Sequence, residues 1–124
     1  MNIYEFPCPN EENGYKIFPK IVEDDPLVHF HGTSLKNLES IISGGFKSFP
    51  PLSSVSYAKQ SNYSLSHWYS KRGATEDGVV FAVRFETLAT PGIKENNLDI
   101  HVYDLKIQPD IIGYCIIPYK FVYK

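Results

Sequence analysis

One segment, LVHFHGTSLKNLESIISGGF (residues 27–46), limits what this chain can fold into more than any other. Its first five residues, LVHFH, suit a short and largely buried strand. Gly32 follows, and Thr33 or Ser34 stands where a hydroxyl caps a helix by accepting from free N–H groups of the first turn. Leu35, Leu38, Ile41 and Ile42 fall on one face of a helix over residues 35–43. Gly44-Gly45 stops it, because glycine enters the left-handed conformation at little cost. A strand that hands over to a helix through a glycine junction leaves main-chain groups open to a ligand.

The remainder of the chain is heavily punctuated, with eight Gly and nine Pro among 124 residues. Residues 1–14 read as an extended arm ending in the turn signal Asn13-Gly14. Residues 15–22 (YKIFPKIV) read as an edge strand, since Pro19 is poorly tolerated in a central one. A second helix is expected over residues 57–71, capped by Ser54 or Ser56, with Ala58, Leu65, Trp68 and Tyr69 on its apolar stripe. In residues 78–86, Val79, Phe81, Val83 and Phe85 alternate with Val80, Ala82, Arg84 and Glu86, as a strand requires. Residues 98–105 form another strand with Asp99, His101 and Tyr103 on one face. Residues 110–117, and a further segment at 119–123, complete the β regions. Strands outnumber helices and no β-α-β series is present, so the expected class is α+β with mixed or antiparallel sheets. The length bounds the chain to a single domain, residues 1–124, with 1–26 as arm and edge strand and 27–124 as core.

Composition excludes several classes. Hydrophobic residues make up 43% and charged residues 21%, which is globular rather than disordered usage. The net charge of −2 argues against a DNA-binding domain. Cys8 and Cys115 lie far apart and form no Cys-x-x-Cys pair, so a reducing compartment is the simpler reading. No apolar run reaches the roughly 18 residues of a membrane span, and the N-terminus lacks the basic start and apolar core of a signal peptide. A cytoplasmic protein without membrane partners is expected. Charge is nevertheless uneven: residues 40–75 contain no acid but carry Lys47, Lys59, Lys71 and Arg72. Such a stretch suits an anion, or is a serine-rich surface that happens to lack carboxylates.

His31 is either a ligand-binding residue beside a main-chain clamp at Gly32 or a histidine satisfied in the core. His29 and His31 share a strand face, but a metal site would need His67 and His101 to converge as well, and none is expected. Tyr57, Tyr63 and Tyr69 recur every six residues, about 600° around a helix, so they do not share a face. They serve packing or, where a ring is free, hold a flat cationic ligand. Glycosidase carboxylate pairs, nucleophile elbows, P-loops and Rossmann glycine patterns are all missing from the sequence.

Taken together, residues 27–46, SYAKQSNYS (56–64) and DIHVYDLKIQPDIIGYCI (99–116) resemble the ADP-ribosyltransferase superfamily, on its diphtheria-toxin and poly(ADP-ribose) polymerase side with the His-Tyr-Glu signature. The resemblance covers roughly residues 27–120. It implies split, mostly antiparallel sheets with a few short helices, and NAD+ as co-substrate with no metal. It also implies that His31 bonds a ribose hydroxyl, that the Gly32 main chain holds the nicotinamide amide, and that Thr33 or Ser34 supports the adenosine side. Tyr63, with Tyr57 as second candidate, would stack on nicotinamide. The family's glutamate falls at Asp99, one methylene shorter, with Glu95 as back-up. Breaking the nicotinamide–ribose bond builds positive charge on the ribose, which a carboxylate stabilises. Lys47, Lys59 or Arg72 would meet the pyrophosphate.

The expected function is therefore mono-ADP-ribosyl transfer to a macromolecule, a protein rather than a nucleic acid, in the cytoplasm or, for a phage or bacterial effector, in that of a host. The alternatives are an NAD+ or ADP-ribose binding module of the same fold, an RNA 2′-phosphotransferase, against which the chain's two arginines count, and a protein that meets partners through its aromatic surface.

Overall fold

The structure, a computed structural model, describes residues 1–73 and 75–123. Its elements are β1 (Asn2–Tyr4), α1 (Lys20–Glu23), β2 (Val28–Ser34), α2 (Leu38–Gly44), β3 (Val55–Ala58), α3 (Ser61–Lys71), β4 (Gly78–Arg84), β5 (Ile93–Glu95), β6 (Asp99–Val102) and β7 (Asp110–Ile117). The strands form one seven-stranded sheet in the order β1-β7-β4-β2-β3-β6-β5. The pairings are antiparallel except for β1 with β7, which is parallel. The class is thus α+β with a mostly antiparallel sheet and short helices.

Both faces of the sheet are covered. On one side Phe30, Val80 and Ala82 meet Leu65 and Trp68 of α3 and Ile17, Phe18 and Val22 around α1. On the other, Val79, Phe81, Val83, Tyr57 and Ile100 pack with Phe46 and with Leu35, Leu38 and Ile41 of the α2 region. The alternation seen in residues 78–86 therefore sorts side chains between two cores, and only Arg84 within β4 is exposed.

Several expectations require correction. Residues 15–22 do not form an edge strand: Pro19 flanks the short helix α1, because its fixed φ suits the start of a helix and its missing N–H costs nothing there. The arm at residues 1–14 is not free of the sheet, since Asn2, Ile3 and Tyr4 pair with Gly113, Tyr114 and Cys115. The helix expected over 35–43 begins as a 3-10 turn (Leu35–Asn37) and continues as α2. Ser34 caps that turn, its hydroxyl accepting from the Lys36 N–H at 3.4 Å. The second helix starts at Ser61 rather than 57, and Gln60 precedes it without a side-chain cap. Residues 55–58 are a strand instead, with Val55 and Tyr57 buried and Ser56 exposed. Residues 119–123 are not a strand.

The expected division into two sheets takes a particular form. β2 joins β3 through a single residue pair, Phe30 with Ala58. On either side of that seam the ladders are longer: β2 pairs with β4 over seven residues and β3 with β6 over four. One sheet is present, but it parts down the middle just beyond Phe30.

Candidate functional site

A cleft of about 560 Å³ opens along this seam, within the usual size of a small-molecule site. Its walls come from Phe30, His31 and Gly32 of β2, Ser54 and residues 55, 56 and 58 of the β3 segment, and Tyr63, Ser64 and His67 of α3. Asp99 and His101 of β6 line it too, as do Lys47 and Lys71.

The seam itself places His31. Had the β2–β3 register continued, Gly32 would face Ser56. The strands separate there, and the His31 Nδ1 reaches the Ser56 carbonyl oxygen at 2.9 Å. A carbonyl only accepts, so Nδ1 carries the proton and the neutral ring keeps an acceptor at Nε2. Phe46 and Tyr57 pack against the ring at centroid distances of 5.2 and 5.7 Å. Desolvation by these neighbours pushes the His31 pKa below its ordinary value; the Ser56 carbonyl opposes that shift and His67 adds to it. A neutral imidazole at the wall of the cleft follows.

Gly32 lies inside β2, not in a turn as the glycine junction suggested. The reason for glycine is steric: a Cβ there would stand 2.5 Å from the Ser64 carbonyl oxygen of α3. The close approach of α3 to β2 brings Tyr63 into the cleft. Tyr63 is half-buried, and no aromatic ring among the described residues stacks on it. Tyr57, by contrast, is fully buried in the core between Phe46 and Phe85 and does not line the cleft. Burial raises its phenol pKa strongly. Its inward position follows from strand alternation, which was hidden while residue 57 was read as helical.

Thr33 and Ser34 do not line the cleft either. Thr33 Oγ1 accepts from the Asn37 amide at 2.9 Å, and the Ser34 hydroxyl donates to Glu76. His29 is buried against Phe85 in the core. Among the described residues no group of three or more His, Cys, Asp or Glu side chains is placed to hold a metal ion.

Asp99 stands at the start of β6, half-buried, with both carboxylate oxygens engaged. Oδ2 accepts from the Ser56 hydroxyl at 3.1 Å and meets His101 Nε2 at 3.2 Å; Oδ1 accepts from the Asn96 amide at 3.1 Å. His101 Nδ1 lies 3.0 Å from Ser54 Oγ. The back-up carboxylate, Glu95, is paired with Lys59 at 3.1 Å, and neither lines the cleft. Of the basic residues considered for an anion, Lys47 lines the cleft and Lys59 and Arg72 do not. Arg72 lies over the Tyr69 ring at 3.6 Å, and the other arginine, Arg84, pairs with Asp25 at 3.1 Å. Lys71, on the last turn of α3, also lines the cleft, a place that the resemblance did not assign.

The sequence reading missed Ser54 and gave His101 only a metal role. The signal for His101 was present in its i, i+2 relation to Asp99 on one strand face. Ser54 carried no local signal, because its partner is 47 positions away.

The cleft thus combines a neutral imidazole, a free aromatic ring, a hydrogen-bonded carboxylate and two lysines in an α+β domain built on one parted sheet. No protein-family model matches the chain, and a search of curated proteins returns no match. No helix among the described residues is long and apolar enough to cross a membrane.

Proposed function

We propose that the chain is an NAD+-dependent mono-ADP-ribosyltransferase of the His-Tyr-Glu type, with aspartate in the acidic position and a protein as acceptor. One observation carries this reading. His31, Gly32, Tyr63 and Asp99, chosen from three separate segments of sequence, line a single cleft. In this reading His31 Nε2 accepts from a ribose hydroxyl and Tyr63 stacks on the pyridinium ring. Asp99 stabilises the positive charge that builds on the ribose as the glycosidic bond to nicotinamide breaks. Its hydrogen bonds to Ser56 and Asn96 hold the carboxylate in place. Lys47 and Lys71 supply the cationic side on which a pyrophosphate rests. The phosphotransferase alternative needs arginine at the site, and Arg72 and Arg84 are both engaged elsewhere.

The test is NAD+ carrying a label in its adenosine part, incubated with the purified chain and a cell lysate. Nicotinamide release and label transfer are expected. Asp99→Asn keeps the side-chain shape and is expected to lower release by about 100-fold, the scale on which removed electrostatic stabilisation is felt. NAD+ binding without release, by wild type as well as by Asp99→Asn, would reduce the chain to a binding module. No binding at millimolar NAD+ would defeat the reading.

A further inference from the structure

Ser54, His101 and Asp99 form a hydrogen-bonded chain along one wall of the cleft, with links of 3.0 and 3.2 Å. The groups give that chain a direction when the imidazole is neutral. A carboxylate only accepts, so His101 Nε2 carries the proton given to Asp99. In the neutral form of that imidazole Nδ1 is a lone pair, and the Ser54 hydroxyl donates to it. That is the polarity of an activated nucleophile: a hydroxyl against a base, and the base oriented by an acid. All three side chains belong to the cleft and are partly open to it. Ser56, the other hydroxyl on this wall, donates directly to the Asp99 carboxylate, with no imidazole between them.

We propose that Ser54 is a nucleophile, activated by His101 and Asp99, and that it is the chain's own acceptor of ADP-ribose. The proposal rests on the NAD+ reading above for its electrophile. Ser54 Oγ forms a bond to the anomeric carbon of the nicotinamide-bearing ribose. The bond from that carbon to the pyridinium nitrogen breaks, and its electron pair leaves with the nitrogen as neutral nicotinamide. The Ser54 proton passes to His101 Nδ1, and the resulting imidazolium is held by Asp99 until it returns the proton to water. The acceptor class of the site is therefore an alcohol, and the alcohol set against an imidazole is Ser54.

The experiment treats the full chain with NAD+, maps its peptides by mass, and measures nicotinamide in the same samples. One ADP-ribose on the peptide carrying Ser54 is expected, absent from Ser54→Ala and retained at position 54 in Ser54→Thr. His101→Ala, checked for native circular dichroism, is expected to slow modification by about 100-fold or more, as loss of a general base does. Nicotinamide release with Ser54 unmodified overturns the proposal and leaves the NAD+ reading standing. Equal modification in His101→Ala overturns the relay. A fluorophosphonate probe, which needs no NAD+, reads the hydroxyl alone. Labelling of Ser54 that depends on His101 supports the relay, and an unlabelled Ser54 overturns it. Labelling at Ser54 with NAD+ left uncleaved sinks the NAD+ reading by itself.

Discussion

The His31 imidazole and the Ser56 carbonyl oxygen, 2.9 Å apart, span the point where strands β2 and β3 separate. The bond does two things. It ties the separated strands by a side chain where the ladder has ended, and it fixes which ring nitrogen faces outward as an acceptor.

Removing that ring has a ligand-binding consequence. His31→Ala is expected to weaken NAD+ binding about tenfold, the effect of one hydrogen bond of about 1.4 kcal/mol. Calorimetric titration of the two proteins reads it directly. Equal affinities would take His31 out of the site.

Acid should destabilise the fold before the carboxylates titrate. Desolvation depresses the pKa of both His31 and His29. Each group is kept neutral in the folded chain, while the unfolded chain takes up a proton near pH 6.5. The unfolded state therefore binds more protons below that value. The stabilising contribution is complete above about pH 6.5 and is lost as the pH falls through the folded values. Urea unfolding should show a lower midpoint at pH 5.5 than at pH 7.5. A flat midpoint over that range would contradict the burial of these rings.

Gly32→Ala sets a methyl group against the main chain of α3, 2.5 Å from the Ser64 carbonyl oxygen. Backbone cannot swing aside as a flexible side chain does, so the helix must shift. A loss of about 1–3 kcal/mol in stability is expected, the usual cost of overpacking. Because Tyr63 and His67 ride on the same helix, NAD+ binding should weaken along with it. A variant as stable as wild type in urea would overturn this close packing of α3 against Gly32.

Tyr63 separates stacking from hydrogen bonding. Tyr63→Phe keeps the ring and should bind NAD+ within a few-fold of wild type, whereas Tyr63→Ala should lose about tenfold, near the lower end of what one base–aromatic stack contributes. Similar losses in both variants would assign the role to the hydroxyl instead.

Much of this was legible where a periodic pattern was long enough. β7 lies at residues 110–117 as expected, and the alternation of Val79, Phe81, Val83 and Phe85 identified β4 and the faces of its side chains. Asp99 and His101 were correctly placed on one face of β6, with Ile100 and Val102 buried behind them, but the strand expected over 98–105 ends at Val102 and leaves out Tyr103. β3 was not legible. Four residues, Val55-Ser56-Tyr57-Ala58, give only two periods of alternation, and a moderate helical stripe begins three residues later. That ambiguity is inherent in short strands. It hid the inward position of Tyr57, which the resemblance offered as a second stacking ring, and left Ser54 as a helix cap. The pairing of Asn2–Tyr4 with β7 joins the two ends of the chain, and no local propensity encodes such a contact.

The sheet's two outer strands, β1 and β5, are three residues each. A stray chain in search of a partner finds only a few unsatisfied amides on either flank, and on β5 it meets Lys94 and Glu95 as well. Short, charged borders of this kind give foreign backbone too little to zip onto. The architecture therefore guards against edge-to-edge polymerisation, even though β4 and β7 inside it are rich in valine and isoleucine.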